Sequence, residues 1–251
     1  MSFRLKAFGL HFSGSLLVLT LVLGTLYAGW YRWPGWYLTG AAHVAVIMVL
    51  VDAALGPLIT LLIASPRKPR RELARDVAII VAVQACALVY GAGTLWHGRP
   101  IYYAFSVSEL DLVQASDVDA HETELARRQN PRFAPVWYLP PRWVWAPLPD
   151  DKEERARIVV SAPFGGKDVV QMPRYFRPWE LGAGEMRKHL RQVDHMILFT
   201  RAERACLKER MKSLGFSPDQ ASSMIMTGRG RPLLAVFDPT TLRLKAILRA
   251  N

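Results

Sequence analysis

The sequence predicts a membrane protein, with three transmembrane α-helices followed by a small α+β domain that ends in a β-hairpin. Three observations predict it. Three long apolar stretches lie within residues 1–97. Charged residues are sparse in those stretches and dense after Gly98. The last 20 residues hold two β-type runs around the turn Pro239-Thr240-Thr241. The expected domains are therefore a three-helix anchor, 1–97, and a water-exposed domain, 98–251.

The first span covers residues 7–31 and contains no Asp, Glu, Lys or Arg. About 20 apolar residues cross a bilayer core, so its length suffices. It exceeds a signal-peptide core and no small-x-small cleavage site follows, so retention is expected. The second span, 37–64, carries one acid, Asp52, and the third is 77–96. Arg4 and Lys6 precede the first span, and Arg67, Lys68, Arg70, Arg71 and Arg75 lie between the second and third. Basic short loops stay in the cytoplasm. The N-terminus is thus expected inside and the domain after residue 97 outside, periplasmic in a Gram-negative cell. Trp30, Tyr31, Trp33, Trp36 and Tyr37, at the first connection, read as an interfacial aromatic belt.

Asp52 is the least expected residue of the anchor. At 1.5 Å per residue it lies about 18 Å from the cytoplasmic end of its span. A carboxylate there costs roughly 2.5–3.5 kcal/mol on insertion scales. Gln84, Ser15 and Thr20 fall at comparable depths. Gly56-Pro57 follows Asp52. Because proline lacks an N–H, the Ala53 carbonyl is expected to lose its helical partner, with a kink. Three roles remain open for this group: a structural polar clasp, a contact with a partner helix, or an ion path. His11 and His43 read as interfacial or packing residues. Gly24/Ala28 and Ala87/Gly91 permit close helix approach.

In the second domain, 101–115 reads as one or two strands. Residues 117–129 read as a helix with Asp117 as its N-cap. Residues 130–149, with six prolines and three tryptophans, read as an irregular aromatic loop with room for a short strand. Residues 150–161 fit a helix or a helix followed by a strand. Residues 172–179, MPRYFRPW, read as turn-rich, and 184–199 and 203–216 as helices, the latter stopped by Gly215. Ser217-Pro218 is expected to open a short helix. Residues 231–238 and 242–249 form the terminal hairpin.

Net charge is +11, of which the first 97 residues supply +5. The basic residues of the domain alternate with acids, as on solvated helix faces, and no nucleic-acid-binding signature appears, so no nucleic-acid partner is expected. Cys86 lies in a span and Cys206 in the domain, so no disulfide between them is expected. Catalytic patterns are equally thin. His121-Glu122 lacks a second histidine at Leu125, Gly165-Gly166-Lys167 is no phosphate loop, and Ser161, Asp168, His189 and His195 make no recognisable triad. No enzyme activity, cofactor or metal is expected. The aromatic stretches, with Tyr175 and Trp179, are either partner surfaces or parts of the core and lipid-facing surface.

The segments LKAFGLHF (5–12), VDAALGPLITLLI (51–63) and the run from Asp76 to Val113 resemble type IV pilin accessory proteins of the TfpX/TfpZ kind, and MPRYFRPW adds a weaker match. The resemblance implies a chaperone-like, non-enzymatic helper in the bacterial inner membrane, supporting pilus assembly or dynamics (fimbrium biogenesis). It implies the major type IV pilin as partner, with other pilus-assembly components besides, and the lipid bilayer as surroundings. Asp52, Gly56, Pro57 and Gln84 in the membrane, and Tyr175 and Trp179 outside it, are the candidate contacts. A membrane-anchored periplasmic sensor or scaffold for a small ligand or envelope partner is the alternative.

Overall fold

The computed structural model describes residues 3–220 and 222–250. Contacts divide the chain into two compact units. The first combines the chain up to Arg32 with Gly40–Gly98; the second combines Trp33–Thr39 with the chain from Arg99 on.

The first unit is helical. Helix α1 (Phe3–Leu26) ends in a wide π turn, Tyr27–Tyr31. A four-residue helix, α2 (Gly35–Leu38), lies in the connection. Then come α3 (Ala41–Val49), a second π turn (Leu50–Leu55), α4 (Gly56–Ile63) and α5 (Arg70–His97). Among the described residues three helical stretches are long and apolar enough to cross a membrane: Phe3–Tyr31, Ala41–Ile63 and Arg70–His97. Leu10, Leu62, Val89 and Tyr90 are each at least 71% exposed. Exposed apolar side chains on helices of this length suit a lipid surrounding. Lys68 pairs with Asp76 in the basic turn before and into α5. At the opposite end Tyr31 donates to the Leu95 carbonyl at 2.6 Å, and Trp30 meets Trp96 edge-on. Gly91 admits Met48, whose side chain would lie 2.6 Å from any Cβ there. Nothing lies within 4 Å of a Cβ at Gly24, so the expected close approach there is absent.

The second unit is a seven-stranded mixed sheet with helices, in the order β4-β3-β1-β2-β5-β6-β7. Strands β1 (Pro100–Ser106) and β2 (Glu109–Gln114) form a hairpin, and β3 (Arg142–Ala146) runs parallel to β1. The two-residue β4 (Arg177–Pro178) borders β3. Strand β5 (Ser223–Thr227) runs parallel to β2 and leads into β6 (Leu233–Phe237) and β7 (Leu244–Leu248), the expected terminal hairpin. Period-two alternation sorts the side chains. Tyr103, Phe105, Leu233, Ala235 and Phe237 join one buried cluster. Tyr102, Ala104 and Val144 join a second, and Leu234 and Val236 a third. Helix α6 (Ala120–Gln129) and α7 (Lys152–Ser161) precede β4; α8 (Ala183–His189) and α9 (Arg201–Ser213) follow it. Leu207 and Met211 of α9 cover the third cluster.

Several expectations need correction. The connection at 33–39 is not wholly an interfacial belt. Leu38 is fully buried in the first cluster beside Phe105 and Leu233. The Gly230 N–H donates to the Leu38 carbonyl at 2.7 Å, and a Cβ at Gly230 would sit 2.3 Å from the Tyr37 carbonyl oxygen. The second unit therefore starts before residue 98. The cap of α6 is Asp119, which accepts from Glu122 N–H; Asp117 instead accepts from Gln114 N–H. Residues 184–199 are helical only to His189. Arg191 then exchanges two backbone hydrogen bonds with Ser223, and that bridge needs extended chain. Ser217-Pro218 opens a turn, not a helix. Residues 150–161 are helix alone, capped by Asp151.

Asp111 on β2 accepts from the Thr227 hydroxyl at 2.6 Å. Burial pushes its carboxyl up to about 7, against that hydrogen bond and with help from Glu109 and Asp168. A raised folded-state value stabilises the fold at low pH, and that contribution is lost as pH climbs from about 4 towards 7. Asp111→Asn is expected to remove this dependence. In thermal or urea unfolding of the full chain in detergent, wild type should lose ground to the variant by up to roughly 1.4 kcal/mol per pH unit across that window. Parallel profiles would refute the assignment.

Candidate functional site

The polar cluster of the first unit starts from a missing hydrogen. In the π turn before α4 the Gly56 N–H reaches the Val51 carbonyl, five residues back. In that register the next carbonyl, Asp52, faces Pro57, which has no N–H to offer. The orphan is thus the carbonyl of Asp52 rather than of Ala53, because the π turn shifts the pairing by one residue. Gln84 of α5 donates its Nε2 to it at 2.9 Å. Gln84 Oε1 lies 2.8 Å from His11 Nε2, and His11 Nδ1 lies 2.7 Å from Thr60 Oγ1. An amide oxygen only accepts, so Nε2 carries the hydrogen and the threonine hydroxyl donates to Nδ1. The chain Thr60→His11→Gln84→Asp52 carbonyl runs donor to acceptor throughout and ties three helices together.

Gly56 is required by that geometry. A Cβ there would lie 2.2 Å from Gln84 Cδ and Nε2. Gln84 therefore meets the Asp52 backbone, as their depths predict, beside Gly56 and Pro57. His11 and Thr60 were missed as members. A Thr three residues after the proline and a His on the facing span were the available signals. Thr20 points outward, while Ser15 lines a groove of about 380 Å³ with Gly14, Val18, Ala85 and Leu88. Asp52 reaches this groove from below; the residue is 5% exposed and its Oδ2 has no hydrogen-bond partner among the described residues.

Tyr175 and Trp179 are not brought together. Trp179 meets Trp143 edge-on at 5.1 Å and stacks near Phe237, beside the first cluster. It borders a cavity of about 550 Å³ with Arg132, Arg142, Trp143 and Glu180. Tyr175 lies by the second cluster, under the Arg174 guanidinium at 4.8 Å. Arg174 pairs with buried Glu122 at 2.7 Å and with Glu154 at 3.1 Å. The Tyr175 hydroxyl and Arg174 hold the Glu154 carboxyl below its ordinary range. Lys167 joins Asp119 at 2.6 Å and Glu122 at 3.4 Å. Asn130 donates to the carbonyls of residues 173, 174 and 176. MPRYFRPW is thereby anchored into the domain. Among the exposed aromatics of this unit are Phe164 and the pair Trp137 and Tyr138, which meet edge-on at 5.4 Å.

The catalytic-looking side chains have local duties. Ser161 Oγ donates to the Ile158 carbonyl, Asp168 caps a 3-10 turn, and His189 lies 3.4 Å from Glu185. Among the described residues no group of three His, Cys, Asp or Glu could hold a metal ion.

Two stability outcomes follow. Gly56→Ala should cost about 1–3 kcal/mol by displacing Gln84, and in a Gln84→Ala background most of that added cost should vanish. Unfolding of all four proteins in detergent measures the coupling; simple additivity would refute it. Arg174→Met leaves the buried Glu122 charge with only Lys167, at 3.4 Å, and should destabilise the second unit by up to roughly 3–5 kcal/mol, read by urea unfolding, with partial recovery in Glu122→Gln/Arg174→Met.

No protein-family model matches the chain, and no solved structure matches it. Three curated proteins of Dichelobacter nodosus are similar to it. The fimbrial assembly protein of serogroup I is 26% identical over 199 residues, 78% of this chain and 75% of that protein. That of serogroup E1 is 26% identical over 189 residues, 74% of this chain and 70% of its own length. That of serogroups C1 and C2 is 28% identical over 116 residues, 46% of this chain and 88% of its own. What the chain resembles is thus named for fimbrial assembly, a wider description than the TfpX/TfpZ kind.

Proposed function

We propose that this chain is a non-enzymatic accessory protein of type IV pilus biogenesis, of the TfpX/TfpZ kind, held in the bacterial inner membrane with its second unit in the periplasm. The observation that carries the reading is the similarity to three fimbrial assembly proteins, two of them over about three quarters of this chain. The architecture supports it. A subunit awaiting assembly into a pilus has an apolar helix in the bilayer and a globular head outside it, and this chain offers one unit suited to each zone. The basic turn at 67–75 supports a cytoplasmic N-terminus. The major pilin is the proposed partner, with its helix against the anchor and its head against the second unit. No step of this work needs a cofactor or bond-making chemistry.

A second reading, a membrane-anchored sensor or scaffold, draws on the cavity beside Trp143 and Trp179. Two arginines, a glutamate and aromatic faces there suit a small polar ligand. Deleting the gene separates the readings. The accessory role predicts loss of most surface pili, counted by electron microscopy, with pilin mass unchanged. Normal piliation would favour the sensor, and an altered pilin mass an enzyme.

A further inference from the structure

We propose that the groove at Asp52 receives a helix of another membrane protein, and that this helix carries a basic group level with Asp52. The inference rests on the accessory reading and adds the chemistry of the contact. Asp52 is the middle residue of the apolar stretch Ala41–Ile63. At 1.5 Å per residue it is about 16 Å from either end. An acid at that depth is paired, protonated or in contact with water, and the apolar segments 7–31, 37–64 and 77–96 supply no Lys or Arg to pair it. Between Lys6 and Arg67 the only charged residues are Arg32 and Asp52 itself, and residues 77–96 contain none. Of the polar side chains that line the groove with Asp52, Ser15 makes no hydrogen bond to its Oδ2, and the other two are already engaged. His11 uses both ring nitrogens and Gln84 both ends of its amide, all within the clasp. The Asp52 Oδ2 is left buried and without a hydrogen-bond partner among the described residues, and the residue lines the groove.

The groove fits a helix ridge. It runs along α1 from Leu10 to Leu19, about 14 Å or two and a half turns. Its walls include Gly14, Ser15 and Ala85, small enough for close backbone approach, and nothing lies within 4 Å of a Cβ at Gly14. A lipid chain would satisfy Val18 and Leu88 but brings no hydrogen-bond donor, and headgroups do not sit at mid-bilayer. A lysine, arginine or amine on a neighbouring helix satisfies both the walls and the carboxylate.

The test places a benzoyl-phenylalanine photoprobe at Val18 or Ala85 in the full-length protein, in membranes that also contain the pilin. The expected result is a pilin adduct that falls at least tenfold in Asp52→Leu, persists in Asp52→Glu, and falls when the basic group of the captured helix is made apolar. Should Asp52→Leu lower the amount of protein, the near-isosteric Asp52→Asn replaces it, and a charge reversal on both partners should restore capture. Adducts with lipid alone, or a yield indifferent to Asp52 at unchanged protein level, overturn the proposal. Pilin captured only from a probe at exposed Trp137 overturns it too, while sparing the accessory reading. Asp52-dependent capture of a different helix with a basic group upholds the groove chemistry and removes the pilin as partner.

Discussion

The absent N–H of Pro57 organises the first unit. A helix in an apolar medium must satisfy its own carbonyls, and proline denies it one. The chain answers by widening into a π turn, which moves the deficit onto the carbonyl of Asp52, and by bringing Gln84 across to meet it. Gln84 then needs room and an occupied oxygen. Gly56 gives the room; His11, held by Thr60, occupies the oxygen. Four residues on three helices, Gly56, Gln84, His11 and Thr60, thus follow from one ring closure. The acid that began as an oddity contributes its backbone to this arrangement, while its Oδ2 has no hydrogen-bond partner among the described residues.

The second unit solves a different problem. Both faces of its sheet are covered, which explains the continuous apolar run of β6. The polar network of Glu122, Arg174, Glu154 and Lys167 is more expensive, since buried charge is tolerated only when fully paired. It ties α6, α7 and the MPRYFRPW segment together at a point where the chain has little regular structure of its own.

Much of the architecture was legible because it rests on local signals. Span length, the terminal hairpin and the Gly215 stop each follow from pattern or from a single backbone requirement. The meeting of Asp52 and Gln84 was also readable, since depth can be counted along a helix. Most of the misses share a cause: they depend on a partner far away in the chain. His11 is 73 residues from Gln84, Arg191 pairs with Ser223, and Arg174 reaches back to Glu122. Asp117 and Asp119 are equally good caps by composition; only the competing bond to Gln114 decides between them.

Leu38 gives the second unit an unusual history. It completes a core whose other members, from Tyr103 to Leu242, are all made later. As the chain is synthesised, the short helix at 35–38 emerges some 190 residues before the Gly228–Gly230 turn that closes over it. A fragment beginning after the third span would lack a fully buried side chain and the carbonyl that Gly230 binds. The second unit is thus not a detachable tail. Its folding is completed only when the end of the chain returns to a piece laid down between the first two helices.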